Sequence, residues 1–462
     1  MNHADRKVTD INIAYIGGGS RLWAWRLMSD LALEGSISGT VKLYDIDYEA
    51  AQGNERFGNL MTQRADAKGK WQYQAVKTLK EALTSADFVI ISILPGTFAE
   101  MNSDVHLPER HGIYQSVGDT VGPGGLVRAL RTIPSYVEFA ENIKAYAPNA
   151  WVINYTNPMT LCTRALYEVF PEIKAFGCCH EVFGTQKLLA AMLNDMGIGK
   201  ASRDEIKTNV LGINHFTWID QAYWQGMDLF PLYREFAAKY YEEGFRIPGD
   251  EAWDETPFRF AHRVKFDLFQ RYGVIAAAGD RHLAEFLPPW YLKDPETVRK
   301  WKFNLTTVPY RIDRFEKANA QRERIVAGQE EYKLEASGEE GVKQIKALVG
   351  LENLVTNVNF PNRGQMKGIP LGAVVETNAY FSDNSVQPVV SGGLPDPIQG
   401  LVIRHVHNQE TILQAGLKKD FDLALRAFVN DPLVTTGIDD SKRLLEEMLK
   451  NTRSYLPGWK LG

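Results

Sequence analysis

The chain has 462 residues, more than one hydrophobic core normally serves, so two packed domains are expected, residues 1–200 and 201–462. A net charge of −5 excludes the basic surface that nucleic acid or an anionic membrane demands and leaves a small ligand as the expected partner. Three cysteines, two of them adjacent, exclude a disulfide framework; no segment resembles an apolar leader or a membrane span, so a cytoplasmic protein is expected.

Ile11–Ile16 is a β-rich run that ends in Gly17-Gly18-Gly19-Ser20, after which apolar residues recur at helical spacing from Leu22 through Met28 to Leu33. Strand, glycine turn and helix form the opening of a dinucleotide-binding unit. Gly17 and Gly19 let the backbone turn tightly, with Ser20 in the same turn, so that a pyrophosphate approaches the helix start. The next strand, Thr40–Tyr44, ends at Asp45, whose carboxylate suits ribose hydroxyls and repels a 2′-phosphate, so NAD is expected rather than NADP. The third glycine of the usual G-x-G-x-x-G pattern is Leu22 here, and a tight turn without a nucleotide is the alternative. A further unit, Leu79–Ser85 leading into the apolar run Phe88–Leu94, supports the nucleotide.

A polar loop spans His106–Asp119, and Thr120–Gly125 follows as a glycine-rich stretch, either backbone that approaches a ligand or a plain loop, before a helix over Ile133–Tyr146. Trp151–Ile153 reads as a buried parallel strand that ends in Asn154-Tyr155-Thr156-Asn157-Pro158. A helix over Thr160–Phe170 and a strand over Lys174–Cys178 follow. Asn154, Cys179 and His180 thus fall at carboxyl ends of parallel strands, on the rim where doubly wound folds bind ligands.

The pattern changes near 195–205. Ile206–Leu211 and Phe216–Tyr223 read as a hairpin with Gly212–His215 at its turn. Beyond it lie a helical aromatic-rich region (Phe230–Tyr272), the turn Gly279–His282, a charged helix from Ile312 to about Glu335 and strands around Leu354–Phe360 and Ala373–Phe381. The expected architecture is α/β: an amino-terminal Rossmann-like parallel sheet, and a carboxyl-terminal α+β domain with its own mixed antiparallel sheet covered by helices.

Ala175–Gly184 sets the thiol of Cys179, the imidazole of His180 and the carboxylate of Glu181 side by side. Soft and borderline donors of this kind suit a divalent transition metal, and Cys179 with His215 leaves coordination positions open for two substrate oxygens. Beside a nicotinamide, that points to hydride abstraction from a hydroxyl-bearing carbon, after which the neighbouring C–H is acidic enough for a protein base. Taken singly, Cys179 also suits a buried apolar thiol and His215 a structural histidine. His180 also fits a helix-start hydrogen bonder, and Glu181 fits a first-turn carboxylate better than a catalytic one.

The ordered blocks Gly17–Ser20, Gln115 with Gly118–Gly125, Asn154–Pro158, Cys179–Val182, Gly212–His215, Asn362–Gly364 and Val374–Glu376 resemble the family 4 glycoside hydrolases over nearly the whole chain. Leu107–Arg110, Cys178–Gln186 and Gly279–Pro288 resemble its α-galacturonidase branch most closely. The resemblance implies a cycle in which NAD⁺ oxidises the sugar at C3, a base removes the C2 proton, the aglycone is eliminated, water adds and the ketone is reduced again. It implies Cys179 and His215 as ligands of Mn²⁺, and His180 as a substrate contact or acid at a position that other members fill with Asn or Asp. Asp280 is the implied base, with Tyr291 as fallback and a turn-capping role as the alternative for Asp280. Asp119 and Asn154 are expected near nicotinamide and sugar, or as turn and cap residues. A uronate carboxylate calls for a planar bidentate donor, for which Arg281, Arg110 and Arg363 are available. An α-glucosidase, an α-glucuronidase and an NAD-dependent hydroxyacid or sugar dehydrogenase are the competing activities. A homodimer or homotetramer is implied as well.

Overall fold

A computed structural model describes residues 1–460. The strands, in chain order, are β1 (Asn2–Ala4), β2 (Lys7–Ile16), β3 (Ile37–Tyr44), β4 (Lys70–Val76), β5 (Phe88–Ile91), β6 (Trp151–Asn154), β7 (Lys174–Gly177), β8 (Lys207–Ile213), β9 (Phe216–Trp224), β10 (Met227–Asp228), β11 (Ile275–Ala276), β12 (Leu354–Pro361), β13 (Val374–Ser382) and β14 (Ser385–Pro388). Six of them make a parallel sheet in the order β4-β3-β2-β5-β6-β7, the doubly wound order whose ligand crevice opens where β2 and β5 diverge. β5, β6 and β7 are short, continuous apolar runs because both of their faces are covered. β4, with alternating burial in Lys-Trp-Gln-Tyr-Gln-Ala-Val, is an edge strand whose polar half hid it in the sequence.

The carboxyl-terminal half keeps an antiparallel sheet of its own, β8–β11, as expected, but its remaining strands join the parallel sheet. β12 pairs antiparallel with β7 at Asn359 and Gly177, and β13 and β14 continue outward, so the parallel sheet is extended by strands that lie some 180 residues further along the chain. The physical reason is the open edge of β7. An edge strand leaves a row of unpaired backbone groups, and β12 satisfies them. Only β8–β11 form a separate four-stranded sheet, with the expected hairpin β8–β9 at its centre. Phe216 on β9 is fully buried and stacks on Phe286, with the fully buried Trp218 packed against Phe216, which fixes this sheet to the helices around residue 280. Deleting so large a buried ring typically costs about 3–5 kcal/mol.

The glycine-rich stretch is a second correction. The helix expected to start at Ile133 runs from Gly122 to Tyr146, with Gly122-Pro123-Gly124-Gly125 as its first turn. Proline is tolerated there because those N–H groups have no helical partner. A β-carbon on Gly125 would stand 2.5 Å from the Thr120 carbonyl carbon, so the helix start packs directly on the loop that carries Asp119. Gly279–His282 is likewise the entrance to a short helix, Asp280–Glu285, rather than a free turn. Among the described residues no helix is long and apolar enough to cross a membrane.

Candidate active site

The glycine turn sits at the carboxyl end of β2. Gly17 has φ +90°, and a β-carbon there would overlap the Ser92 carbonyl at 2.0 Å, so no other residue fits the crossing with β5. Asp45 accepts from Gly19 N–H at 2.8 Å and from Asp47 N–H at 2.9 Å, which sets the expected ribose acceptor directly against the turn. The Ser20 hydroxyl accepts from Trp23 N–H at 3.2 Å and starts the helix Trp23–Leu33. This loop is held by a residue that no motif marks in the sequence. Asn54 is fully buried, and its amide donates to the carbonyls of Gly18 and Ser20, both at 2.8 Å.

Across the crevice, side-chain ligand atoms of Asp119, His215 and His282 lie within 4.8 Å of one another. His215 is brought there by the β8–β9 turn, where it holds φ +64°. Its Nδ1 is 2.9 Å from the Thr120 hydroxyl, and that hydroxyl donates to Asp119 at 2.7 Å. The single hydroxyl proton is committed to Asp119, so Nδ1 must donate, and the Nε2 lone pair of His215 is left free. The His282 ring stacks on His215 with centroids 3.7 Å apart, and its Nδ1 is buried with no partner. Burial and the neighbouring His215 keep His282 neutral. Burial alone would raise the Asp119 carboxyl, but the Arg128 guanidinium beside it holds it well below the usual carboxylate range.

Cys179 lies outside this trio. It is buried at the end of β7 above a polar network in which Asn357 donates to the Cys179 carbonyl at 3.3 Å and to Glu376 at 2.7 Å, and Asn214 donates to Glu376 at 3.3 Å. Asn214 precedes His215, so one network reaches both expected metal ligands. Burial pushes the Cys179 thiol up, and Glu376 and Glu181 add to the effect. Thiol, imidazole and carboxylate donors with unpartnered buried atoms (Asn214 Oδ1, His282 Nδ1) make a donor set that fits a borderline divalent ion.

His180 is the half-exposed cap of helix Glu181–Asp195. Its Nδ1 is 3.1 Å from Glu339, and Arg26 reaches the same carboxylate at 3.3 Å. Glu181 takes part in more than helix capping. It accepts from Gly279 N–H at 2.7 Å, and its other oxygen is 3.9 Å from His180 Nε2 and 3.8 Å from His282 Nε2. Burial would raise it, but His180 and the Gly279 N–H hold its carboxyl low.

Several expected residues stand elsewhere. Asp280 accepts from the N–H groups of Val264 and Lys265, both at 3.2 Å, and so caps the helix Arg263–Tyr272; burial raises it to about 6. The structure therefore does not bring Asp280 into the cluster, and the turn it was expected to cap as the alternative is replaced by the start of a separate helix. Tyr291, the fallback, donates to Asp267 at 2.5 Å and is buried away from the trio. Asn154 is also fully engaged: Oδ1 accepts from the Tyr136 hydroxyl and Thr156 N–H, while Nδ2 donates to the Thr156 carbonyl. It shapes the loop, and its neighbour Asn157 does the reaching, with Nδ2 3.3 Å from Asp119. Arg281 is buried next to His282, whereas Arg110 and Arg363 are exposed.

Glu285 is a second site residue without a signal of its own in the sequence. Its Oε1 accepts from Val117 and Gly118 at 2.7 and 2.8 Å and so anchors the turn that presents Asp119. Burial raises its carboxyl from an ordinary 4.5 to about 8. A raised carboxyl binds its proton more tightly in the folded state, so its stabilisation is full below pH 4.5 and is lost as pH rises through about 8. Thermal melts from pH 5 to pH 8.5 should therefore show a steeper loss for the wild type than for Glu285→Gln; parallel curves would contradict the burial argument.

The chain belongs to glycoside hydrolase family 4. The model of the family 4 glycosyl hydrolases matches residues 12–195 and that of their C-terminal domain residues 210–434. An alpha-galacturonidase of Thermoanaerobacterium saccharolyticum is 65% identical over 463 residues, covering 100% of both chains. One from Bacillus subtilis is 57% identical and covers 95% of this chain and 97% of its own. Among solved structures, Bacillus subtilis lplD superposes with a TM-score of 0.92 at 56% identity, covering 96% of this chain and all of its own. A 6-phospho-alpha-glucosidase from gut microorganisms, crystallised with NAD and Mn²⁺, shares the fold at a TM-score of 0.81 and 23% identity, covering 98% of this chain and 100% of its own.

Proposed function

We propose that the protein is an NAD- and Mn²⁺-dependent α-galacturonidase. The observation that carries this reading is the meeting of the Asp119–His215–His282 trio with His180 and Glu181 at the rim of a doubly wound sheet that ends in a glycine turn and Asp45. Full-length identity to proteins named alpha-galacturonidase supports the substrate class. When bound, NAD⁺ supplies a reversible hydride acceptor and Mn²⁺ a Lewis acid, which together allow an elimination route in place of the two-carboxylate scheme. Gly17, Gly19, Ser20 and Asp45 would hold the dinucleotide. Cys179 and His215 would hold the metal, with Asp119 beside them.

The chain's own groups divide the remaining work. Thr120 holds His215 through Nδ1 and leaves its Nε2 lone pair free. His282, neutral and lacking a partner at Nδ1, is placed to take the C2 proton, and the Glu181 carboxylate 3.8 Å from its Nε2 compensates the charge that forms. His180, held through Nδ1 by Glu339, presents Nε2 at the solvent side, where the departing aglycone needs a proton. This arrangement replaces Asp280 as the base. A cytoplasmic homo-oligomer is the accompanying expectation.

Hydrolysis of an α-galacturonide in D₂O should place deuterium at C2 of the released sugar. Product without exchange would remove the elimination mechanism. Net accumulation of NADH without cleavage would instead favour a dehydrogenase.

A further inference from the structure

We propose that Arg281, Arg311 and Arg314 form a subsite for the C6 carboxylate of the sugar acid, an inference that rests on the galacturonidase reading. None of the three guanidiniums has a carboxylate within ion-pair distance among the described residues; what they touch instead is neutral. Arg281 Nη1 donates to the Thr306 hydroxyl at 2.5 Å, and its Nε is buried with no partner. Arg311 donates to the carbonyls of Thr306 at 3.3 Å and Val117 at 2.7 Å. Arg314 lies against the Phe258 ring, 4.5 Å from its centroid, and Arg281 lies 5.1 Å from the same centroid. Arg281 is buried and Arg311 and Arg314 are half-buried, and a sheltered guanidinium with no carboxylate hydrogen-bonded to it is costly, so the wall has donors to spare for an anion.

Their placement sets the direction. Arg281 immediately precedes His282, and its carbonyl accepts from the Ser116 hydroxyl at 2.5 Å. Arg311 holds the carbonyl of Val117, two residues before Asp119. Arg311 and Arg314 are three apart on the helix Val308–Val326 and so share a face. The wall therefore adjoins the trio, and a sugar ring over Asp119, His215 and His282 would direct an anionic C6 group at it. The planar fork of a guanidinium matches a carboxylate through two parallel hydrogen bonds. Arg281 itself was expected from the sequence, but Arg311 and Arg314 had no signal there beyond the charge of their helix.

A C6 phosphate offers the same charge, so the test separates the two. Inhibition constants of galacturonate, galactose and galactose 6-phosphate, and kcat and KM on an α-galacturonide, are measured for the NAD⁺- and Mn²⁺-loaded wild type, Arg314→Met, Arg311→Met and Arg281→Lys. Arg314 makes no hydrogen bond among the described residues, so Arg314→Met leaves no buried group unsatisfied, and a thermal melt checks its fold. The wild type should bind galacturonate more tightly than either competitor. Arg314→Met should raise KM by about 10- to 100-fold, with a smaller change in kcat, and bring galacturonate close to galactose. A wild-type preference for galacturonate that survives in Arg314→Met and Arg281→Lys would overturn the subsite and leave the galacturonidase reading intact. A wild type that favours galactose 6-phosphate, or ignores the anion, would overturn both.

Discussion

His215→Ala is expected to lower kcat/KM by about 10³-fold at saturating Mn²⁺ while NAD affinity stays near wild type. His215 is common to both donor sets that the site offers, the Cys179–His215 pair and the Asp119–His215–His282 trio. Its loss therefore removes the metal under either arrangement, and no neighbouring side chain can replace an Nε2 presented by a backbone held at φ +64°. The dinucleotide turn lies on the other side of the crevice, held by Asn54 and Asp45, which His215 does not touch. Thr120→Val is the graded companion. It keeps the imidazole but frees Nδ1, and loss of such an orienting hydrogen bond costs about 10- to 100-fold. Titration calorimetry with NAD⁺ and steady-state kinetics would check both, and NAD binding that falls together with turnover would count against a role confined to the metal.

These expectations draw on features of unequal visibility in the sequence. The strand, glycine turn and Asp45 were legible because a tight turn and a strand end are local matters, fixed within a few residues. The β8–β9 hairpin and its His215 were legible for the same reason. His282 was not, although it stands two residues from Asp280. Successive helical residues are about 100° apart, so positions i and i+2 point to nearly opposite sides. A turn was expected at Gly279–His282. Once it is a helix, Asp280 must face back onto the helix Arg263–Tyr272 and His282 must face the crevice. Asn154 misled in a similar way. A polar amide at a strand end suits a ligand contact, but only the packing of Tyr136 and the following loop decides that its donors and acceptors are already used. The sheet crossing by β12 was hidden because nothing in its sequence says which edge will be open. Glu181 and Glu339 show the remaining gap: Glu339 meets His180, and Glu181 meets Gly279 and His282, across stretches of chain that periodicity does not encode.

Cys179→Ser is expected to abolish Mn²⁺-dependent turnover, with the loss appearing first as weakened metal binding: apparent Mn²⁺ affinity should fall by at least about 100-fold. Serine is nearly isosteric and fits the same buried site, so the network of Asn357, Asn214 and Glu376 beneath it should persist and the fold with it. What disappears is a donor able to ionise at a bound cation. His282→Gln supplies the contrast. If the thiol and His215 hold the ion, His282→Gln should keep metal affinity and instead slow C2 exchange in D₂O, because it removes a proton acceptor that stacks on a ligand without being one. If the trio holds the ion, His282→Gln should lose metal while Cys179→Ser keeps it. The two variants exchange phenotypes between the two arrangements, so one pair of Mn²⁺ titrations decides whether the thiol at the end of β7 is a ligand or a core residue.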